Sequence, residues 1–189
     1  MLKEYSSNFK DFVNKNKLEP MVDVAIFIII TLVIHFSYRF WATQAYYPIT
    51  DLMNGMHDFL ANRVFIESSW FVQHILGMDI TVVDRTMYWP NNGYIAITYG
   101  CSGLKQILQF ALLMMIFPGP WKKKLWYIPM GMFIVHLTNL FRIIGLAEIL
   151  VILPDYWKFS HDYIFRPIFY VVIFSLWVFW VEKIKNKQH

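Results

Sequence analysis

The sequence predicts an all-α polytopic membrane protein: a helical bundle of about four or more spanning helices, with external amphipathic helices and a short β-hairpin. Three observations carry that prediction. Of 189 residues, 57% are hydrophobic, with 17 Phe, 11 Tyr and 8 Trp, more apolar surface than a soluble domain of this size can hide. The apolar residues come in long runs separated by short basic segments, the hydropathy pattern of crossing helices. The basic residues gather at the ends of those runs, so the net charge of +4 bears on orientation in a bilayer and not on nucleic acid.

Residues 1–20 read as a cytoplasmic lead-in, because Met1 to Glu19 is polar and the next run lacks a small-residue cleavage site. Residues 21–189 then form a single membrane domain. Its first span runs from about Met21 to Trp41, enough for a hydrocarbon core of ~30 Å. The segment 42–100 is too polar to span. Within it Leu52, Met56, Phe59, Leu60 and Val64 share one helical face, which predicts one or two amphipathic helices on the membrane or capping the bundle. Two β-rich runs, Thr81 to Trp89 and Tyr94 to Tyr99, flank Pro90-Asn91-Asn92-Gly93 and predict a hairpin that delivers the chain to Cys101.

A second, short span follows over about 103–118, and a third over 125–153 is longer than a straight crossing needs, so it must tilt, break or protrude. The fourth covers 164–181. With four spans, three lysine clusters fall on one side: Lys3, Lys10, Lys15 and Lys17; Lys122, Lys123 and Lys124; Lys183, Lys185 and Lys187. The positive-inside rule makes that side the cytoplasm, with both termini inside and residues 42–100 outside. The aromatic residues suit interfacial belts and lipid-facing packing. No repeat or low-complexity segment interrupts the pattern.

Polar groups converge on the outer face. Tyr99-Gly100-Cys101-Ser102-Gly103 lies at the outer end of span two, where a strand-to-helix turn sets Cys101 beside unpaired backbone N–H groups and a helix dipole that favours its thiolate. As the single cysteine it has no disulfide partner, and is either inert packing or chemistry. Lys105 and Gln109 follow at i+4 and i+8 as a polar stripe. Asn139 and Arg142, one turn apart on span three, lie at the same depth, and an intramembrane arginine calls for a function or a strong partner; Glu148 on the same helix is a candidate partner. His161-Asp162 falls in a loop, Pro154 to Tyr163, just before span four. Asp51, Asp58 and Asp84 read as solvated. His35, His57, His74 and His136 show no metal-ligand spacing, so neither metal nor cofactor is expected.

Cys101-Ser102-Gly103-Leu104, Asn139-Leu140-Phe141-Arg142-Ile143 and His161-Asp162 resemble, in that order, the Cys-Ser-Gly, Asn-x-x-Arg and His motifs of the exosortase/archaeosortase family. The resemblance covers roughly Asp79 to Phe169 and is to the compact members, which lack an appended soluble domain. It implies Cys101 as nucleophile, His161 as acid/base and Arg142 as electrostatic stabiliser, with Asn139, Ser102, Gly103 and Asp162 in support. It also implies a bacterial inner-membrane enzyme, since archaeal members carry arginine at the third position. The implied partners are membrane-anchored proteins with a C-terminal motif, a spanning helix and a basic tail, besides the lipid bilayer itself.

Two other readings compete. Gly100-Cys101-Ser102-Gly103 also fits the Gly-x-Ser-Gly of rhomboid-like serine proteases, with Ser102 attacking and His161 as base. Against it stand the six spans of rhomboids, their histidine inside a helix, and the absence of any role for Arg142. A non-catalytic scaffold or export subunit would need the polar stripe only for helix–helix contacts.

Overall fold

The computed structural model describes residues 19–44, 49–91 and 93–185. The lead-in lysines and Lys187 lie outside the described residues. Helix α1 (Glu19–Gln44) is apolar nearly all round. It leaves Ile28, Ile29, Leu32 and Phe36 on the outside, as a lipid-facing helix does. A single helix of 26 residues, α2 (Ile49–His74), occupies the first part of the expected external segment.

The apolar face predicted for α2 is only partly the face that packs. Leu52 and Phe59 are exposed, whereas Ala61, Val64, Ser68 and Val72 are buried. The last four recur every three to four residues, and the alanine and serine let α2 approach its neighbours closely. A search for large apolar side chains passes over such a stripe.

The predicted hairpin is a three-stranded antiparallel meander of β1 (Thr81–Val83), β2 (Thr86–Tyr88) and β3 (Tyr94–Ala96). Val83 pairs with Thr86 and Met87 with Ile95. The run 81–89 is thus two strands, folded back at Asp84-Arg85. Asp84 takes φ 50°, a left-handed conformation that aspartate tolerates better than most residues. At the second turn Trp89 N–H donates to the Gly93 carbonyl at 2.9 Å. Met87, Trp89, Ile95 and Ile97 then bury into one cluster with Val64, Ile143 and Leu146. The sheet therefore rests on the bundle just where the chain enters Cys101.

Helix α3 (Leu104–Ile116) has 13 residues, ~20 Å at ~1.5 Å per residue. Helix α4 (Trp121–Ile152) has 32 and is unbroken despite Pro129, so at ~48 Å it protrudes from a hydrocarbon core. Its far end reaches the sheet, where a Cβ on Gly93 would touch Leu150. Small residues set the helix spacing: a Cβ on Gly131 would run into Phe110 of α3, and one on Gly145 into Phe165 of the last helix.

Among the described residues three helices are long and apolar enough to cross a membrane: Pro20–Phe40, Trp121–Ile152 and Pro154–Ile184. α3 is the shorter apolar helix beside them. The protein is thus an all-α membrane protein with a small sheet.

The last helix, α5 (Pro154–Ile184), starts ten residues earlier than the predicted fourth span. It passes through a wider π turn over Ser160–Phe165. His161 is therefore helical and does not lie in a loop. Pro167 follows two residues after it and withdraws one N–H from the α ladder, which accommodates the wider turn.

At the opposite end, the Lys124 ammonium donates to the Met115 and Phe117 carbonyls at 3.0 and 2.6 Å, and Lys123 donates to Ile184 O at 3.5 Å. Lys124 thereby satisfies the orphan carbonyls that end α3. The lysine cluster and the end of α5 share one end of the bundle; Cys101 occupies the other.

Candidate functional site

Cys101 closes a short 3₁₀ turn, Tyr99–Cys101, between β3 and α3. Its N–H donates to Thr98 O at 2.9 Å and the Ser102 N–H to Tyr99 O at 3.2 Å. The turn thus takes up the N–H groups of Cys101 and Ser102. Side chains take their place. Thr98 Oγ1 donates to Cys101 Sγ at 3.8 Å, and the Arg142 guanidinium lies within electrostatic reach of the thiol. The thiol itself is half-buried.

Gly103 opens α3 with φ 75°. Asn139, on α4, donates its Nδ2 to the Cys101 carbonyl at 2.7 Å, and a Cβ on Gly103 would sit 2.9 Å from that same Nδ2. Backbone strain and collision both exclude a side chain here. Gly103→Ala is expected to cost at least ~1–2 kcal/mol in left-handed strain and to dislodge Asn139. The expected result is a lower melting temperature together with loss of activity, read on detergent-purified protein and in cells. A variant that melts and works like wild type would show that Asn139 does not hold the turn.

Arg142 follows Asn139 by one turn and is 6% exposed. Its guanidinium lies 5.8 Å from the Phe169 ring centroid. Glu148 does not pair with it, and among the described residues no carboxylate forms a salt bridge with it. Its Nε is buried without a hydrogen-bond partner, as is Asn139 Oδ1. Such orphaned groups are costly and demand a reason.

His161 Nδ1 lies 2.8 Å from Asp162 Oδ1, and Arg166 pairs with the same carboxylate oxygen at 3.2 Å. An ionised carboxylate only accepts, so Nδ1 carries the proton and Nε2 is left as the working nitrogen. The ring stacks on Trp157 at 5.3 Å and 9°. Trp157 packs on the same apolar cluster as Cys101. No hydrogen bond joins His161 to Cys101 among the described residues. The structure therefore brings together Cys101, Ser102, Gly103, Asn139 and Arg142, and holds His161-Asp162 as a separate unit whose stacking partner Trp157 packs on the same apolar cluster.

Several residues at the site escape a reading of the sequence. His57 of α2 places Nδ1 2.8 Å from Ser102 Oγ and Nε2 3.1 Å from Tyr38 Oη. Its ring stacks on Tyr99 at 5.3 Å. Ser102 is 1% exposed; its hydroxyl donates to Tyr99 O at 2.8 Å and accepts from the Leu104 N–H at 3.3 Å. Asp58 is no bystander in solvent: it accepts from Arg85 at 2.9 Å and from the Tyr99 hydroxyl at 3.0 Å. α1, α2 and the sheet thus all grip the turn that carries Cys101. The only trace in the sequence is that His57 and Asp58 adjoin on an amphipathic helix; nothing there ties them to Ser102, 45 positions away.

Burial holds the His57 imidazole below its ordinary value, with Tyr99 and Asp58 opposing more weakly. The folded state therefore binds this proton less readily than the unfolded state does. The contribution of neutral His57 is complete above the unfolded value near 6.5 and is lost as pH falls below it, until the folded value is reached. Wild type is expected to lose thermal stability as pH falls below about 6.5, and His57→Gln to lose less over the same fall. Parallel melting curves for the two proteins would show otherwise.

A half-buried thiol near a buried guanidinium, at one end of a bundle of apolar helices, defines a membrane protein with a thiol-centred polar site. The family model described as transmembrane exosortase matches residues 24–179, and the chain belongs to that family. No curated protein and no solved structure matches it. Cys101, Arg142 and His161 all fall inside the matched stretch, and the family in general is one of membrane cysteine peptidases and transpeptidases.

Proposed function

We propose that this exosortase is a membrane-embedded cysteine peptidase/transpeptidase that cuts the C-terminal sorting signal of membrane-anchored exported proteins and passes them to an acceptor. The observation that carries the reading is Arg142: buried, within electrostatic reach of the Cys101 thiol, free of any carboxylate partner among the described residues, and holding a spare Nε–H. A cation neutralised by a carboxylate would be structural; one turned to a thiol can receive charge as it develops.

The steps follow from the groups in place. His161 Nε2 takes the proton of the Cys101 thiol, and the thiolate attacks the scissile carbonyl, forming a C–S bond, while the carbonyl π pair moves onto oxygen and is stabilised by Arg142. Collapse breaks the C–N bond, and the leaving amine takes a proton from His161 Nε2, reaching Cys101 across the bound substrate. The thioester then accepts an amine, hydroxyl or water, whose proton returns to His161, and Cys101 leaves as thiolate. In this reading the chain sits in the bacterial inner membrane with both termini inside. Because α3 is short, the outward-facing thiol is recessed to the depth of a substrate helix end.

The test is co-expression with a candidate membrane-anchored substrate. Expected are a faster-migrating product and, on trapping, a hydroxylamine-sensitive adduct that peptide mapping places on Cys101. A product formed with the adduct on Ser102 would transfer the chemistry to the serine. That second reading has one observation in its favour, the 2.8 Å approach of His57 Nδ1 to Ser102 Oγ, and the helical setting of His161 removes one objection to it. Against it, Ser102 is fully enclosed and its hydroxyl is spent on Tyr99 O, while Cys101 is only half-buried.

A further inference from the structure

Between α1, α2 and α3 lies a cavity of ≈ 420 Å³ that the proposed chemistry does not use. Its floor is apolar, with Val33, Leu108 and Leu112; its polar edge carries Lys105, His35 and Gln109. Gln109 is 3% exposed, and its Nε2 is buried with no hydrogen-bond partner. An amide donor left unpaired against a cavity points to a missing acceptor. The charges around it say which kind. Arg39 follows His35 by one turn of α1, and no carboxylate lines the cavity. Neither Arg39 nor Lys105 forms a salt bridge among the described residues. Lys105 instead lies over the Tyr38 ring, 5.8 Å from its centroid.

A half-buried lysine with no salt bridge on the wall of an apolar chamber is unfavourable unless an anion joins it. The anion must also bring hydrocarbon, since a bare ion would leave the apolar floor empty. From α1, Val33 and Phe36 are exposed on the bundle exterior, where lipid chains lie.

We propose that this cavity is a binding site for the phosphate head of an anionic membrane lipid. Lys105, Arg39 and the Gln109 amide receive the phosphate oxygens, and one acyl chain lies along Val33, Leu108 and Leu112. The site is independent of whether Cys101 is a nucleophile, although Tyr38 connects its wall through His57 to Ser102.

The experiment uses the full chain in a mild non-ionic detergent, followed by native mass spectrometry and by melting through tryptophan fluorescence. The probes are dioleoyl phosphatidylglycerol, dioleoylglycerol and inorganic phosphate. Expected is one retained phosphatidylglycerol per chain with a saturable rise in melting temperature, and no response to the other two. Arg39→Gln and Lys105→Gln weaken binding about tenfold or more, Lys105→Arg largely restores it, and Lys122→Gln at the far end of the bundle changes nothing. An equal response to dioleoylglycerol would reduce the site to apolar packing. An equal response to inorganic phosphate would make it an ion site. Unchanged binding in Arg39→Gln, whose exposed position spares the fold, would overturn the proposal outright.

Discussion

Cys101→Ala and Cys101→Ser are both expected to abolish substrate processing, while Ser102→Ala retains a measurable share of it. The serine replacement is the informative one. It preserves size and a hydroxyl nucleophile, yet Arg142 and the Thr98 hydroxyl surround this position as they would an anionic sulfur. A serine hydroxyl ionises far less readily than a thiol and has no base in hydrogen-bonding contact, since His161 is held by Asp162 and Trp157. Ser102 is different in kind. Its hydroxyl ties Tyr99 O, the Leu104 N–H and His57 into the turn, so Ser102→Ala loosens the platform under Cys101 without removing the reacting atom.

The measurement is the ratio of processed to unprocessed substrate at matched expression, with the melting temperature of each variant alongside. Loss of processing in Ser102→Ala at unaltered stability, with Cys101→Ala still active, would assign the chemistry to the His57–Ser102 pair. Processing that persists in every variant would leave the family's general activity without a place at this site.

The membrane class and the helix order were legible because they rest on long averages: an apolar run of twenty residues or a lysine cluster leaves its mark whatever packs against it. The three-way meeting of Cys101, Asn139 and Arg142 was legible for a narrower reason. Each is a polar residue in a greasy setting, and such residues must find one another or water. What the sequence hid was governed by geometry at one or two residues. Asp84 folds a nine-residue β-rich run into two strands through a single positive φ. His161 and Asp162 look like loop residues, yet a π turn before Pro167 keeps them helical. His57 and Asp58 reach the site only because α2 folds back across the bundle. No local pattern encodes that path.

Arg142→Gln is expected to lower processing by ~10²–10³, the usual cost of losing an oxyanion donor, and Arg142→Lys to recover only part of it. Glutamine retains an N–H donor and similar length, so it tests charge more than shape. Lysine retains the charge, but as a point donor on a flexible stem it cannot both face the Cys101 thiol and present a second N–H in a fixed plane. The ring of Phe169 at 5.8 Å suits the flat face of a guanidinium and further limits what an ammonium can do there.

A structural role for Arg142 would give a different pattern. Glutamine would then lower the melting temperature and activity together, and lysine, keeping the buried charge, would restore both or neither. The catalytic role instead separates the two. Removing a buried cation that has no carboxylate to neutralise it leaves no opposite charge stranded, so Arg142→Gln is expected to melt at or above the wild-type temperature while losing most of its rate. Adduct trapping resolves the step: with the oxyanion donor gone, Cys101 accumulates acyl-enzyme more slowly, although its thiol remains open to alkylation by a water-soluble maleimide. If alkylation of Cys101 fell as far as processing, Arg142 would be acting on access to the thiol or on its ionisation, and the oxyanion assignment would pass to another donor.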